Sequence, residues 1–117
     1  MYKVSENMYC LGGLTCDEVG SITGIQLSGQ QINGTLPVEL AELSNLKTLT
    51  LSWNYLSGTI PQKLLELQYL KRFEVHFNFL TGTMPLPSAR NLEELNVAEN
   101  FLSGTIPPGL GLSLIHI

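Results

Sequence analysis

The chain has 117 residues, of which 44% are hydrophobic and 14% charged, with a formal charge of −4. That is one domain of sequence, too apolar for a disordered tail and too short for a large two-lobed enzyme. The six basic residues (Lys3, Lys47, Lys63, Lys71, Arg72 and Arg90) form no polybasic run, which argues against a nucleic-acid partner.

The first ten residues, MYKVSENMYC, lack the apolar core of a secretory signal. Hydrophobic runs are short throughout. The run at the end, Leu112 to Ile117, falls far below the ~20 residues a spanning helix needs. Any link to a membrane would have to come through segments absent from this chain. The two cysteines, Cys10 and Cys16, both lie near the start.

From residue 22 onward a repeat sets the organisation. GTLP at 34–37 recurs as GTIP at 58–61, GTMP at 82–85 and GTIP at 104–107, at spacings of 24, 24 and 22. An Asn column runs beside it at Asn54, Asn78 and Asn100. The chain therefore divides into a leader, 1–21, and four units at 22–45, 46–69, 70–91 and 92–110. The last residues, 111–117, break the pattern and are expected to be irregular, either a fragment's end or a non-native tail.

Within a unit the apolar spacing predicts local structure. In the second unit, Leu49 and Leu51 are two apart, the period of a strand. Leu64, Leu67 and Leu70 are three apart, the period of a 3₁₀ turn, and Pro61 suits its start. The competing reading puts Leu40, Leu43 and Leu46 on an amphipathic α-helix, against which stand the Pro and Gly that recur in every unit. The unit thus reads as strand, turn and short 3₁₀ return. No unit can bury its own Leu face, so the units must stack into a coil with a shared core and a parallel sheet on one side.

The segment LKTLTLSWNYLSGTIP at 46–61 fits LxxLxLxxNxLxGxIP. It resembles the plant-type leucine-rich repeat family, over roughly residues 10–110. The resemblance implies an α/β repeat fold: a right-handed solenoid with its parallel sheet concave and a 3₁₀ or irregular convex side. It implies a structural ladder at Asn54, Asn78 and Asn100, with Gln30 a departure in the first unit. It also makes the leader a partial N-terminal cap, in which Cys10 and Cys16 are read as a disulfide and hence as a sign of an oxidising compartment. Two reduced thiols are the alternative, and the spacing is wrong for zinc. No metal and no cofactor are expected. MPLPSARNLEEL in the third unit is two residues short and carries Pro87, so a local change is expected there.

The triplet Asn33-Gly34-Thr35 is the sole glycosylation sequon. Catalysis finds no recognisable motif, and the chain reads as a non-enzyme. Glu74 and His76 share a strand face, where two solvated polar residues are the plainer reading than an acid–base pair. Strand alternation sends Thr48, Thr50, Ser52 and Trp53 of the second unit outward. Their counterparts are Arg72, Glu74, His76 and Phe77 in the third unit, and Glu94, Asn96, Ala98 and Glu99 in the fourth. Trp53 should sit beside Phe77. Trp53, Arg72, Glu74, His76, Phe77, Glu94 and Asn96 form the candidate ligand surface, since aromatics with a few charges suit a hot spot. Tyr55, Phe79 and Phe101, each next to a ladder Asn, also project from that face and should sit side by side, but packing against the rim of the turn is a plainer reading of them than binding, so they are read as structural.

The functional expectation is a recognition module for a protein, peptide or glycan. It would belong to a receptor-like protein or receptor kinase at the cell surface, or to a secreted inhibitor of a foreign enzyme. An intracellular scaffold of the same repeats is the other class.

Overall fold

The computed structural model describes residues 12–88 and 90–104, and the backbone of 114–116. The leader supplies β1 (Leu14–Cys16), which pairs antiparallel with β2 (Ile22–Gln26). Between them Asp17 closes the turn: its Oδ1 accepts from the backbone N–H of Val19 at 3.0 Å and of Ser21 at 2.9 Å. An Asp accepting from the backbone just ahead is a local alternative to ladder bonding, and so turns the chain.

One strand per unit then stacks in parallel: β2, β4 (Thr48–Thr50), β6 (Arg72–Glu74) and β8 (Glu94–Asn96). The register follows the repeat. Ile25, Leu49, Phe73 and Leu95 sit side by side, as do Gly24, Thr48, Arg72 and Glu94. The first column points inward: Leu49, Phe73 and Leu95 are fully buried, and Leu46, Leu64, Leu65, Leu70, Val75 and Leu80 complete the shared core. Gly24 replaces the larger side chains of its column because Thr15 of β1 occupies that space.

Opposite the sheet, 3₁₀ turns cover Val38–Glu42 and Gln62–Glu66, each behind the proline of its GTxP segment. The three-residue leucine spacing is thus a 3₁₀ turn and not an α-helix. The third unit shows no such turn at Met84–Ser88, where Pro85 and Pro87 stand. The backbone there is held instead by its neighbour: Ser88 N–H donates to Leu65 O at 2.9 Å, and Gln62 Nε2 donates to Leu86 O at 2.7 Å.

Two features lie outside the sequence expectation. The first is a second parallel sheet, made of β3 (Asn33–Thr35), β5 (Tyr55–Gly58) and β7 (Phe79–Leu80). Its partners are offset by 22 residues where the strands of the same coils in the main sheet, β2–β4 and β4–β6, use 24: Asn33 faces Tyr55, and Ser57 faces Phe79. The hydroxyls of Ser57, Thr81 and Ser103 reach back to the carbonyls of Gly34, Gly58 and Gly82 at 3.3–3.4 Å. The second is β9 (Leu114–His116), which continues the main sheet beside β8, Glu94 facing Leu114. Those three residues correct the expectation of an irregular tail. The edge of β8 offers unpaired backbone groups to any extended segment, whatever its side chains.

Gly82 shows why the repeat needs glycine at the bend. Its φ is +84°, and a Cβ there would lie 2.8 Å from Thr59 Cγ2. Gly34 has φ +106° with open space around it. Gly34→Ala should therefore cost only backbone strain, about 1 kcal/mol. Gly82→Ala should cost about 2–3 kcal/mol, because the Thr59 methyl must also move. Urea unfolding of the two variants checks the difference. Equal losses would mean that close approach between coils contributes nothing.

Candidate functional site

The site is built on the Asn column. Asn54 Oδ1 accepts from the backbone N–H of Gln30 and Ile32, both at 3.0 Å, and its Nδ2 donates to Leu27 O at 3.1 Å and Leu51 O at 2.9 Å. Asn78 Oδ1 accepts from Leu56 N–H at 2.9 Å, and its Nδ2 donates to Leu51 O and Val75 O, both at 3.0 Å. Asn100 repeats the pattern with Leu80 N–H, Val75 O and Val97 O. Each amide bridges its own coil to the one before. Leu51 O and Val75 O each take two amides, so consecutive rungs interlock. Buried backbone groups must be paired, and this column is where the turn after each strand finds its partners.

One residue before each Asn, the backbone is left-handed: φ is 59° at Trp53, 57° at Phe77 and 56° at Glu99. The first coil meets the same demand with Gly29, at φ 69°. A left-handed residue costs an L side chain roughly 1–2 kcal/mol. The turn swings Trp53 and Phe77 out of the sheet, where they remain 58% and 38% exposed. Their rings stack with centroids 3.8 Å apart and planes 14° apart. His76 meets Phe77 edge-on at 5.7 Å.

One residue after each Asn stands a second row: Tyr55, Phe79 and Phe101, all exposed. Their rings stack at 6.2 Å and 6.1 Å between centroids. The two rows face each other across a groove of about 400 Å³, floored by Asn54, Asn78 and Asn100 and lined at one end by Glu99. On the adjoining sheet the exposed Arg72 reaches Glu94 at 2.8 Å and Glu74 at 3.6 Å, both half-buried, a cluster of one base and two acids. Among the described residues no group of His, Cys, Asp and Glu could hold a metal ion, and no helix is long and apolar enough to cross a membrane.

Residues 45–67 and 91–112 match the Leucine Rich Repeat family. The chain is a plant-type leucine-rich-repeat solenoid.

Solved structures similar to this solenoid include plant receptor ectodomains. The plant peptide hormone receptor RGFR1, in complex with RGF2, is 35% identical over 81% of this chain and 16% of its own, with a TM-score of 0.77. The BIR2 ectodomain from Arabidopsis thaliana is 30% identical over 87% of this chain and 58% of its own, with a TM-score of 0.81. The Arabidopsis receptor kinase HAESA, in complex with the peptide hormone IDA and the co-receptor SERK1, is 34% identical over 77% of this chain and 16% of its own, with a TM-score of 0.69. The repeats here thus span from about a sixth to just over half of these chains. No curated protein matches by sequence.

The solenoid sorts the expected site residues into two places. Trp53 and Phe77 lie in the groove. Arg72, Glu74 and Glu94 lie on the sheet beside it and pair with one another. Asn96 is half-buried and turns onto its own coil, its Oδ1 accepting from Ala98 N–H at 3.2 Å. His76 is half-buried, its Nδ1 2.7 Å from Ser52 Oγ. Ser52, expected to project outward, is buried between Ser28 and His76 of the adjacent coils: its N–H donates to Ser28 Oγ at 3.1 Å and its Oγ lies 2.7 Å from His76 Nδ1. Tyr55, Phe79 and Phe101, read as structural, form the groove's outer wall, and Glu99 closes its end. A signal for that wall was present: three aromatics in one column, each directly after a ladder Asn. Gln30 is exposed and its side chain folds onto Ser28 O, so the ladder begins at Asn54. Asn33 of the sequon is exposed. Cys16 is buried in β1, whereas Cys10, and with it the expected disulfide, lies outside the described residues.

Proposed function

We propose that this chain is a non-enzymatic recognition module that binds a protein or peptide through the aromatic groove, within a longer receptor-like protein at the cell surface. The observation that carries the reading is the exposed double row of rings. Single exposed apolar residues are ordinary, but a continuous apolar patch marks an interaction site. Trp53 and Phe77 strengthen it. Glycine would fit their left-handed backbone without strain, as Gly29 does, yet the chain keeps two large rings there. Strain held at exposed aromatics points to use. The solved relatives named for peptide-hormone complexes support the same class of partner.

Location outside the cell belongs to this reading. It carries with it a Cys10–Cys16 disulfide and an acceptor site at Asn33. Two free thiols in the unfolded, unreduced protein would move the module to a reducing compartment.

The groove is tested by selecting random displayed peptides of about twelve residues on the folded chain. We expect the enriched peptides to lose about 30-fold or more in affinity for the Trp53→Ala, Phe77→Ala double variant, as buried aromatic anchors do. The unfolding midpoint of that variant should fall only modestly, since the rings are partly exposed and the main loss is their mutual stack. Peptides that bind both proteins equally would defeat the proposal.

A further inference from the structure

The groove also shows which chemistry it favours, a point that rests on the recognition reading above. Its floor is made of three amides whose donors and acceptors are committed to the backbone of adjacent coils. Its walls are five aromatic rings. Among the described residues, the lining side-chain atoms left to form new polar contacts are the Glu99 carboxylate, the Tyr55 hydroxyl and the Trp53 indole N–H. A sugar chain, which needs a polar partner for each of its many hydroxyls, is poorly served by such a surface. A peptide that offers apolar side chains and one cation is well served.

Three observations converge on a basic peptide. First, Glu99 lines the groove and has no ion-pair partner among the described residues, whereas Arg72 on the neighbouring sheet is already held by Glu74 and Glu94. Arg72, Glu74, Glu94 and Glu99 together carry a net charge of 1 − 3 = −2 on this side of the molecule. Second, a ring face attracts a cation, so the walls and the carboxylate act in the same sense on a guanidinium or ammonium group. Third, the outer row repeats every 6.1–6.2 Å. An extended chain sets alternate side chains on one side about 6.6 Å apart, so successive ones keep step with successive rings.

We infer that the groove takes an extended peptide segment that carries an Arg or Lys at the Glu99 end, with apolar side chains at alternate positions against successive rings. The Arg or Lys lies between ring face and carboxylate, and the peptide runs across the coils rather than along a strand.

The test uses the same displayed library on the full chain and on two variants, Glu99→Gln and Glu99→Lys. Peptides enriched on the parent should carry one basic residue with apolar residues two positions away. Glu99→Gln should weaken them about tenfold, the size of one lost charge-assisted contact. Glu99→Lys should enrich acidic peptides instead. Thermal unfolding of both variants should match the parent, because Glu99 is exposed. If enriched peptides depend on Trp53 and Phe77 but show no basic preference and ignore Glu99→Lys, the inference falls and the recognition reading stands. If no peptide is enriched, both fall.

Discussion

Asn78→Ala should lower the stability of the fold by about 3 kcal/mol or more, a folded-to-unfolded ratio smaller by a factor above ~100. Asn78 is 4% exposed and sits between two coils. Without it, the backbone N–H of Leu56 loses its acceptor in a site that water does not reach. Leaving one buried donor unpaired costs about 1–3 kcal/mol. Leu51 O and Val75 O fare better, because each keeps a second amide, from Asn54 and Asn100 respectively. They still lose one hydrogen bond each, at about 1 kcal/mol apiece. Asn78→Asp should be no milder. It keeps an acceptor for Leu56 but removes both donors and turns a charge toward two carbonyl oxygens. Asn100→Ala should cost less, since that residue is only half-buried. Denaturant unfolding of the three variants gives the order directly, and an Asn78→Ala loss under ~1 kcal/mol would mean the ladder is ornamental.

Phe73→Ala should cost about 3–5 kcal/mol, the usual range for deleting a buried aromatic ring. Small domains have about 5–15 kcal/mol in total, so this change alone takes a large share. Phe73 is fully buried in β6, between Leu49 and Leu95 of the adjacent strands. Those flanking residues are fixed by the backbone ladder at ~4.8 Å spacing and cannot close on the hole. Phe73→Leu, which matches its column, should recover most of the loss. The midpoint should fall while the denaturant slope is kept, because the same surface is exposed on unfolding. A larger loss than at Asn78 would rank the shared core above the ladder as the main bond between coils.

The parts of this molecule that were legible in advance share one property: they rest on which side chains must be buried or bent. The GTxP and Asn columns at spacings of 24 and 22 mark where each coil turns and which residues become neighbours. That is why the adjacency of Trp53 and Phe77 could be read off directly. The three-residue leucine steps likewise showed the 3₁₀ turns. The tail could not be read in this way, because β9 joins the sheet through backbone groups that its irregular side-chain pattern does not report.

Burial pattern and repeat spacing, then, are properties of the chain alone, and they dictate a coil with one apolar interior and one parallel sheet. Folding in three dimensions settled the rest. It turned the backbone left-handed before each ladder Asn, slid the second sheet by two residues, buried Ser52 between Ser28 and His76 and lifted two aromatic rows into a groove with Glu99 at its end. Those outcomes depend on backbone dihedrals and on hydrogen bonds between coils, and residues as different as Trp, Phe, Glu and Gly can occupy the same left-handed position, so no residue type announces them.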